Sequence, residues 1–337
     1  MSKKVLFITG GNDGCGYYRI YQIFNMLAMT DQSYITPMFV GTANLMPIEC
    51  DVIYTQRVVS EKGFKQLIDY KDKNPNAKLI IDYDDLVWSK DKLHKFNVFL
   101  NKYDVQKNYA AMKKYLPQVA DHVTCSNEYL KKSLTDFVDS TNITVLPNLL
   151  SIKDWCFDRT LSIPKDDTFF YAGSISHYNN EKKQYGDFDI PLANFLNKQK
   201  ILFMGDTAPW FMNPEKSFPW SNLHMYSKAL YQNTRYAKFT LAPLVDNEFN
   251  RCKSDLKYLE SCAIGRVCFV SDFENSPYHE AHELQKIPLN AGIKDIQNIV
   301  ETAKQHYAEI LDYQYNYLNN RWLDYNMTDY ITLFYNI

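Results

Sequence analysis

The sequence predicts an α/β protein built from two Rossmann-like domains that face each other across a cleft. Three observations carry this reading. Strand-like apolar runs alternate with amphipathic helical segments along most of the chain. The alternation halts once near residue 150 and restarts, and each series opens with a strand running into a glycine-bearing turn. A length of 337 residues also suits two domains of ordinary size.

The first series begins with residues 4–9 (KVLFIT), followed by the turn Gly10-Gly11-Asn12-Asp13-Gly14-Cys15-Gly16. Apolar residues at 20, 23, 24, 27 and 28 then predict a helix over about 17–29. Strands at 35–40, 51–55, 78–82, 122–125 and 143–146 alternate with helices at 60–73, around 101–116 and at 127–138. Pro147-Asn148 ends this series, and the irregular, charged stretch 151–167 marks the junction. The second series has strands at 168–172, 200–204, 238–242 and 267–270, with helices at about 189–198, 226–235 and 254–263. Helical segments cover roughly 294–320 and 327–336. The expected organisation is therefore one domain over 1–150, a second over 151–320, and a C-terminal helix within 321–337 that packs back on the first.

Composition narrows the classes. With 46% hydrophobic and 23% charged residues the chain is neither disordered nor fibrous. Its 37 basic and 39 acidic side chains argue against coating nucleic acid by charge alone, while leaving room for a local basic groove. Seven cysteines form an odd set without a Cys-x-x-Cys pair, which disfavours a disulfide framework or a structural zinc site. Val5-Leu6-Phe7-Ile8 is too short for a signal-peptide core and no run approaches 18 apolar residues, so a cytoplasmic protein without stable membrane insertion is expected. The 26 tyrosines and 28 asparagines point to an AT-rich genome, such as that of a phage or a low-GC bacterium. Glycine and arginine are scarce: four of the 11 glycines crowd the turn at 10–16, and only seven arginines stand against 30 lysines.

Four places carry chemistry. Gly14 and Gly16 sit in that first turn, where a helix N-terminus offers N–H groups to an anion or polar ligand, with Tyr18 and Arg19 one turn on. No Gly-Lys-Ser/Thr follows, so it is not a Walker loop. The strand Ile80-Ile81 ends in Asp82-Tyr83-Asp84-Asp85, three carboxylates in four residues, and like charges so close are expected to raise one another's pKa. That suits a general base, or a hold on a hydroxyl or a cation; a helix N-cap is the plainer alternative. Arg251, Lys253 and Ser254 gather before a helix, a diphosphate site by charge and helix dipole, and Glu260 further along would accept both hydroxyls of a ribose. Gly173-Ser174 and His177 repeat the strand-into-turn theme in the second half.

Together these segments resemble the GT-B glycosyltransferases, specifically the retaining, family-four-like group. The likeness is densest in Gly173-Ser174…His177, Ala242-Pro243-Leu244 and Asn250…Lys253-Ser254…Leu259-Glu260…Gly265. Asp82-Tyr83-Asp84-Asp85 resembles a signature of phage and bacterial members, and Gly14-Cys15-Gly16 is similar to a loop of T-even phage DNA α-glucosyltransferases. The resemblance implies a nucleotide-sugar co-substrate, UDP-linked, with neither metal nor bound cofactor. Arg251, Lys253, Ser254, Gly173 and Ser174 would hold its diphosphate, and Glu260 its ribose. Asp84, Asp85 and His177 would be the catalytic groups, and Gly14, Gly16, Tyr18 and Arg19 the acceptor and sugar loop. The phage-like composition, the lack of a membrane-binding segment and the compact chain favour as acceptor a hydroxymethylated pyrimidine in phage DNA, extruded and stacked by Tyr17, Tyr18 or Trp88. A cell-surface glycan or protein is the competing acceptor, and a non-catalytic nucleotide-sugar-binding module the competing class. One departure stands out: the group's motif has two glutamates, and Cys252 occupies the place of the first.

Overall fold

The computed structural model describes residues 2–9, 14–29, 35–41, 48–88, 105–157, 164, 166–173, 177, 186–208, 211, 216–219 and 225–337. They build two six-stranded sheets, each wholly parallel. The first contains β1 (Lys3–Thr9), β2 (Ile35–Gly41), β3 (Val52–Gln56), β4 (Lys78–Tyr83), β5 (His122–Cys125) and β6 (Ile143–Val145), in the order β2-β1-β3-β4-β5-β6. The second contains β7 (Thr168–Gly173), β8 (Lys200–Gly205), β9 (Lys216–Phe218), β10 (Phe239–Ala242), β11 (Val267–Asp272) and β12 (Lys286–Pro288), in the order β12-β11-β10-β7-β8-β9. Strand order reverses between β1 and β3 in one sheet and between β7 and β10 in the other. In such sheets a ligand crevice opens at the carboxyl ends of the strands flanking the reversal.

Local chemistry explains most elements. β3 and the inner residues of β1 and β4 are buried on both faces, as central parallel strands covered by helices must be. Helix Glu61–Lys73 starts where the Ser60 hydroxyl accepts the Gly63 N–H, buries Phe64, Leu67 and Tyr70, and ends with Lys71 and Lys73 in its last turn. Four features were not foreseen. β9 and β12 have three residues each, too few to show a period. The segment 294–320 is two helices, Ile293–Gln305 and Tyr307–Asn319, broken at His306 without any Gly or Pro. The first helix starts at Gly14 and contains a π turn over Tyr17–Tyr21. No described helix is long and apolar enough to cross a membrane.

The chain crosses between the sheets twice, side by side. Leu150 and Trp322 form a parallel bridge, with Leu150 N–H donating to the Arg321 carbonyl (3.1 Å) and Leu323 N–H to the Leu150 carbonyl (2.9 Å). Helix Leu323–Asn336 then lies on the first sheet, where Met327, Tyr330 and Phe334 join the apolar cluster of Val5, Phe7, Ile20 and Tyr54. The Lys3 ammonium donates to the Phe334 (2.9 Å) and Tyr335 (2.8 Å) carbonyls in the last turn of that helix.

At the centre of this arrangement Arg19 is 1% and Asp82 0% exposed. The guanidinium donates through Nε to Asp82 Oδ2 (2.9 Å) and through Nη2 to Oδ1 (2.6 Å), while Nη1 reaches the Leu146 carbonyl (2.7 Å) and Asn148 Oδ1 (3.0 Å). Thr124 donates a further hydrogen bond to Asp82 (2.6 Å). Breaking a buried pair by removing one charge leaves the other uncompensated, at a cost of about 3–5 kcal/mol. Asp82→Asn should therefore lower unfolding free energy by about that much in denaturant titration. A loss under about 1 kcal/mol would show that the pair does not hold the domain together.

Candidate active site at the facing sheet mouths

The acidic side of the site lies at the carboxyl ends of β3 and β4. Asp82 is taken up by Arg19, so two carboxylates remain, and both are held by Arg57, the residue that follows β3. Arg57 Nε donates to Asp84 Oδ1 (2.5 Å) and Nη2 to Asp85 Oδ2. Arg57 adopts a left-handed backbone, φ 54°, which turns it back over the strand end while its N–H binds the Asp82 carbonyl (2.9 Å). Burial alone would raise the pKa of Asp84; Arg57, the Cys15 thiol and Arg19 outweigh it and hold the carboxyl below its usual range. This reverses the expectation of mutually raised values, because the sequence reading paired the acids with each other and not with Arg57. Gly16 is buried, and its N–H together with the Cys15 carbonyl meets the Gln56 amide (3.2 Å each). Cys15, Asp84 and Asp85 bring three ligand-type atoms within 4.8 Å of one another, but a cation there would have to displace Arg57.

The basic side lies at the mouth of β7. A Cβ on Gly173 would fall 2.3–2.6 Å from atoms of the Tyr171 ring, so only glycine fits there. Lys257 crosses this mouth: its ammonium donates to the Ala172 carbonyl and lies 5.0 Å from the Tyr171 ring centroid. Burial, with Lys253 adding to it, pulls the Lys257 pKa down to about 8. Lys253 stands 4.8 Å over the Phe249 ring, and among the described residues no carboxylate pairs with its ammonium. Lys257 lies on the helix Leu256–Ile264, which is buried from Tyr258 onward, and shares a face with Glu260 three residues on. Lys253 itself precedes that helix, so its spacing to Glu260 is not a helical one.

His177 belongs to a hydrogen-bonded string. Its Nδ1 lies 2.6 Å from Asp187 Oδ2, while Asp187 Oδ1 accepts from Asn250 Nδ2 (2.8 Å), which also donates to the Val245 carbonyl (2.9 Å). Burial and the nearby Lys257 drive the His177 pKa down to about 4 against the pull of Asp187, and the His177 and Asn250 contacts keep Asp187 itself below its usual range. Asp187 carried no sequence signal beyond being one of many loop acids.

Contacts between the domains close the site. Tyr18 donates to Glu260 Oε1 (2.5 Å) and Tyr226 to Oε2 (3.3 Å), and burial raises the Glu260 pKa. Asn127, which caps helix Glu128–Leu134, donates to the Cys252 (2.7 Å) and Lys253 (3.1 Å) carbonyls. Asn148 donates to the Ser254 hydroxyl (2.8 Å).

Several expectations are corrected. Arg19 is a buried strut and not part of an open acceptor loop. Arg251 forks onto Asp246 of its own loop (2.6 and 2.8 Å), so its charge is already matched. Tyr17, Tyr18 and Trp88 are 6%, 5% and 1% exposed, too buried to stack on an extruded base. Gly14 is exposed with open space about it. Residues 10–13 of the glycine turn and Ser174 lie outside the described residues.

Cys252 occupies no cleft position. It is 1% exposed in the apolar cluster of the first domain, beside Phe249, and burial pushes its thiol pKa up to about 12. Cys252→Glu should therefore cost stability, roughly 2–7 kcal/mol for a polar group buried without partners. Thermal unfolding checks this; an unchanged midpoint would mean that the side chain turns out to the cleft.

Comparison with solved structures finds this architecture over nearly the whole chain. A glycosyltransferase from Rickettsia africae is similar at a TM-score of 0.65 and 10% identity, over 99% of this chain and 98% of that one. HepE from Anabaena, in complex with UDP-glucose, gives 0.61 at 10% identity, over 98% of each chain. The lipopolysaccharide outer core galactosyltransferase WaaB gives 0.57 at 11% identity, over 98% of this chain and 99% of that one. No family model matches the sequence, and no curated protein matches it. The fold is therefore GT-B: two Rossmann-like domains, each with a parallel six-stranded sheet.

Proposed function

We propose that the chain is a glycosyltransferase that moves a sugar from a nucleoside-diphosphate sugar to an acceptor hydroxyl. The observation that carries this is Lys257 at the mouth of β7 with Lys253 close enough to lower its pKa, and Glu260 one turn beyond Lys257 on the helix Leu256–Ile264. Two cations beside a glycine mouth fit a diphosphate, and a carboxylate at that distance fits the hydroxyls of a ribose. The three structures above support the reading, since each bears a transferase name or a UDP-sugar complex. A UDP-linked donor is the form we propose.

In this reading the leaving diphosphate gathers charge as the bond from its oxygen to the anomeric carbon breaks and the bond to the acceptor oxygen forms, and Lys253 and Lys257 stabilise it inside a closed cleft. Ribose hydroxyls would take the place of the Tyr18 phenol on Glu260 as the domains part and re-close. Asp84, ionised and fixed by Arg57, orients the acceptor hydroxyl. A carboxylate held below its usual range is a poorer general base at neutral pH, which favours retention. The acceptor we propose is a hydroxymethylated pyrimidine in DNA, and composition is its remaining support; glycan acceptors form the other arm of the test.

Incubation of labelled UDP-glucose and other nucleotide sugars with hydroxymethylated DNA and with glycans, read by mass spectrometry, checks the class. Tight nucleotide-sugar binding without turnover on any acceptor would sink the enzyme reading. Lys253→Ala should weaken donor binding by about 1.5–3 kcal/mol, the worth of a charge-assisted hydrogen bond. Lys257 is protonated below pH 8 and neutral above it, so donor affinity should be full at pH 7 and fall as pH rises through about 8. Lys257→Arg should remove that fall, because arginine stays charged; calorimetry between pH 6.5 and 9.5 reads both. Asp84→Asn should spare donor binding and cut transfer, and a drop in donor affinity would assign Asp84 to structure instead.

A further inference from the structure

We infer that His177, oriented by Asp187, accepts a hydrogen bond from a hydroxyl of the transferred sugar and so sets donor specificity. The inference rests on the nucleotide-sugar reading above. Three features of the site lead to it.

The first is tautomer. Asp187 is ionised and its Oδ2 lies 2.6 Å from His177 Nδ1, so the proton belongs on Nδ1 and Nε2 keeps a lone pair. The second is rigidity. Asp187 cannot turn away, because its other oxygen accepts from Asn250, which is 2% exposed and is itself anchored to the Val245 carbonyl. That asparagine lies three residues before Lys253, so the string ties His177 to the loop that presents the lysine. The third is charge. His177 is neutral across the working pH range and sits in the field of both Lys253 and Lys257. A neutral acceptor nitrogen does not bind a phosphate oxygen, which is itself an acceptor; it binds a hydroxyl.

A sugar on the terminal phosphate lies within a few ångströms of whatever holds that phosphate, and its hydroxyls need acceptors. Elsewhere on the loop, the Cys252 side chain points into the other domain, and the Cys252 and Lys253 carbonyls are occupied by Asn127. Asp187 is committed to His177 and Asn250. The lone pair of His177 Nε2 is the fixed acceptor that this string presents within the field of the two lysines. Asp187 is then a positioning residue, acting only through the imidazole.

The test compares two ligands that differ by the sugar alone, UDP and UDP-glucose, by calorimetry at pH 7, with GDP and GDP-mannose in parallel. His177→Ala is expected to weaken the nucleotide sugar about tenfold or more and the bare diphosphate less than twofold. Asp187→Asn should show the same split, because the amide donates to Nδ1 and converts Nε2 into an N–H donor. His177→Gln, whose carbonyl can accept, should recover part of the loss. Thermal unfolding reports whether each variant is folded, and the Gln variant carries the comparison where Ala does not fold. Equal losses for diphosphate and nucleotide sugar, or no loss for either, overturn the assignment. Wild-type protein that binds none of the four ligands overturns the donor reading itself.

Discussion

The ion pair between Arg19 and Asp82 binds together three parts of the chain that have no other reason to meet at one point. Arg19 sits in the π turn of the first helix, Asp82 near the end of β4, and Leu146 and Asn148 where the chain leaves the first sheet. Taking two charges from water is expensive, and the pair is tolerable only because each charge finds several partners: four hydrogen bonds from the guanidinium and a further one from Thr124. The same asparagine that receives Arg19 donates onward to Ser254. A string of hydrogen bonds thus runs from the first sheet's carboxyl edge to the loop that carries Lys253. The loop of the basic mouth is tied in this way to a salt bridge it does not contain.

Around that strut the two domains divide the chemistry by charge. The first presents carboxylates restrained by Arg57; the second presents lysines, one of them weakened by burial until it titrates near neutrality. Their interface is mixed. Phe249 and Cys252 insert into the first domain's apolar cluster, while Tyr18 reaches Glu260 in the second. Apolar insertion gives adhesion without direction, and the short phenol–carboxylate bond fixes the approach. The π turn at Tyr17–Tyr21 carries two consecutive tyrosines that both reach out of the first sheet's domain: Tyr17 donates to Asp154 (2.7 Å) and Tyr18 to Glu260.

Much of this architecture was legible in the sequence because parallel strands buried on both faces read as continuous apolar runs. β1, β3, β4, β5, β7, β8, β10 and β11 are of that kind, and their ends carry the Gly173 mouth and the acidic β4 terminus. β9 and β12 escaped because three residues hold no periodicity, and the break at His306 because no residue type announces it. The site was legible as a set of residue types and not as a set of partners. Arg57 was merely one scarce arginine until a left-handed turn folded it onto Asp84 and Asp85, and that contact reverses the direction of the Asp84 shift. A solvated helix would account for Lys257 equally well, and only the neighbouring strand shows that its ammonium reaches the Ala172 carbonyl. Arg19 was misplaced for the same reason, since a scarce cation beside a glycine turn fits a ligand and a buried carboxylate equally well.

The helix Leu323–Asn336 has a consequence for how the molecule is made. It shares the cover of Val5, Phe7 and Tyr54 with Ile20, Ile23 and Leu27 of the first helix, so part of one face of the first sheet stays open until residues 323–336 have been added. The N-terminal half is then finished last, after the entire second half has been synthesised. Throughout that interval the open part of that apolar face is free to make non-native contacts.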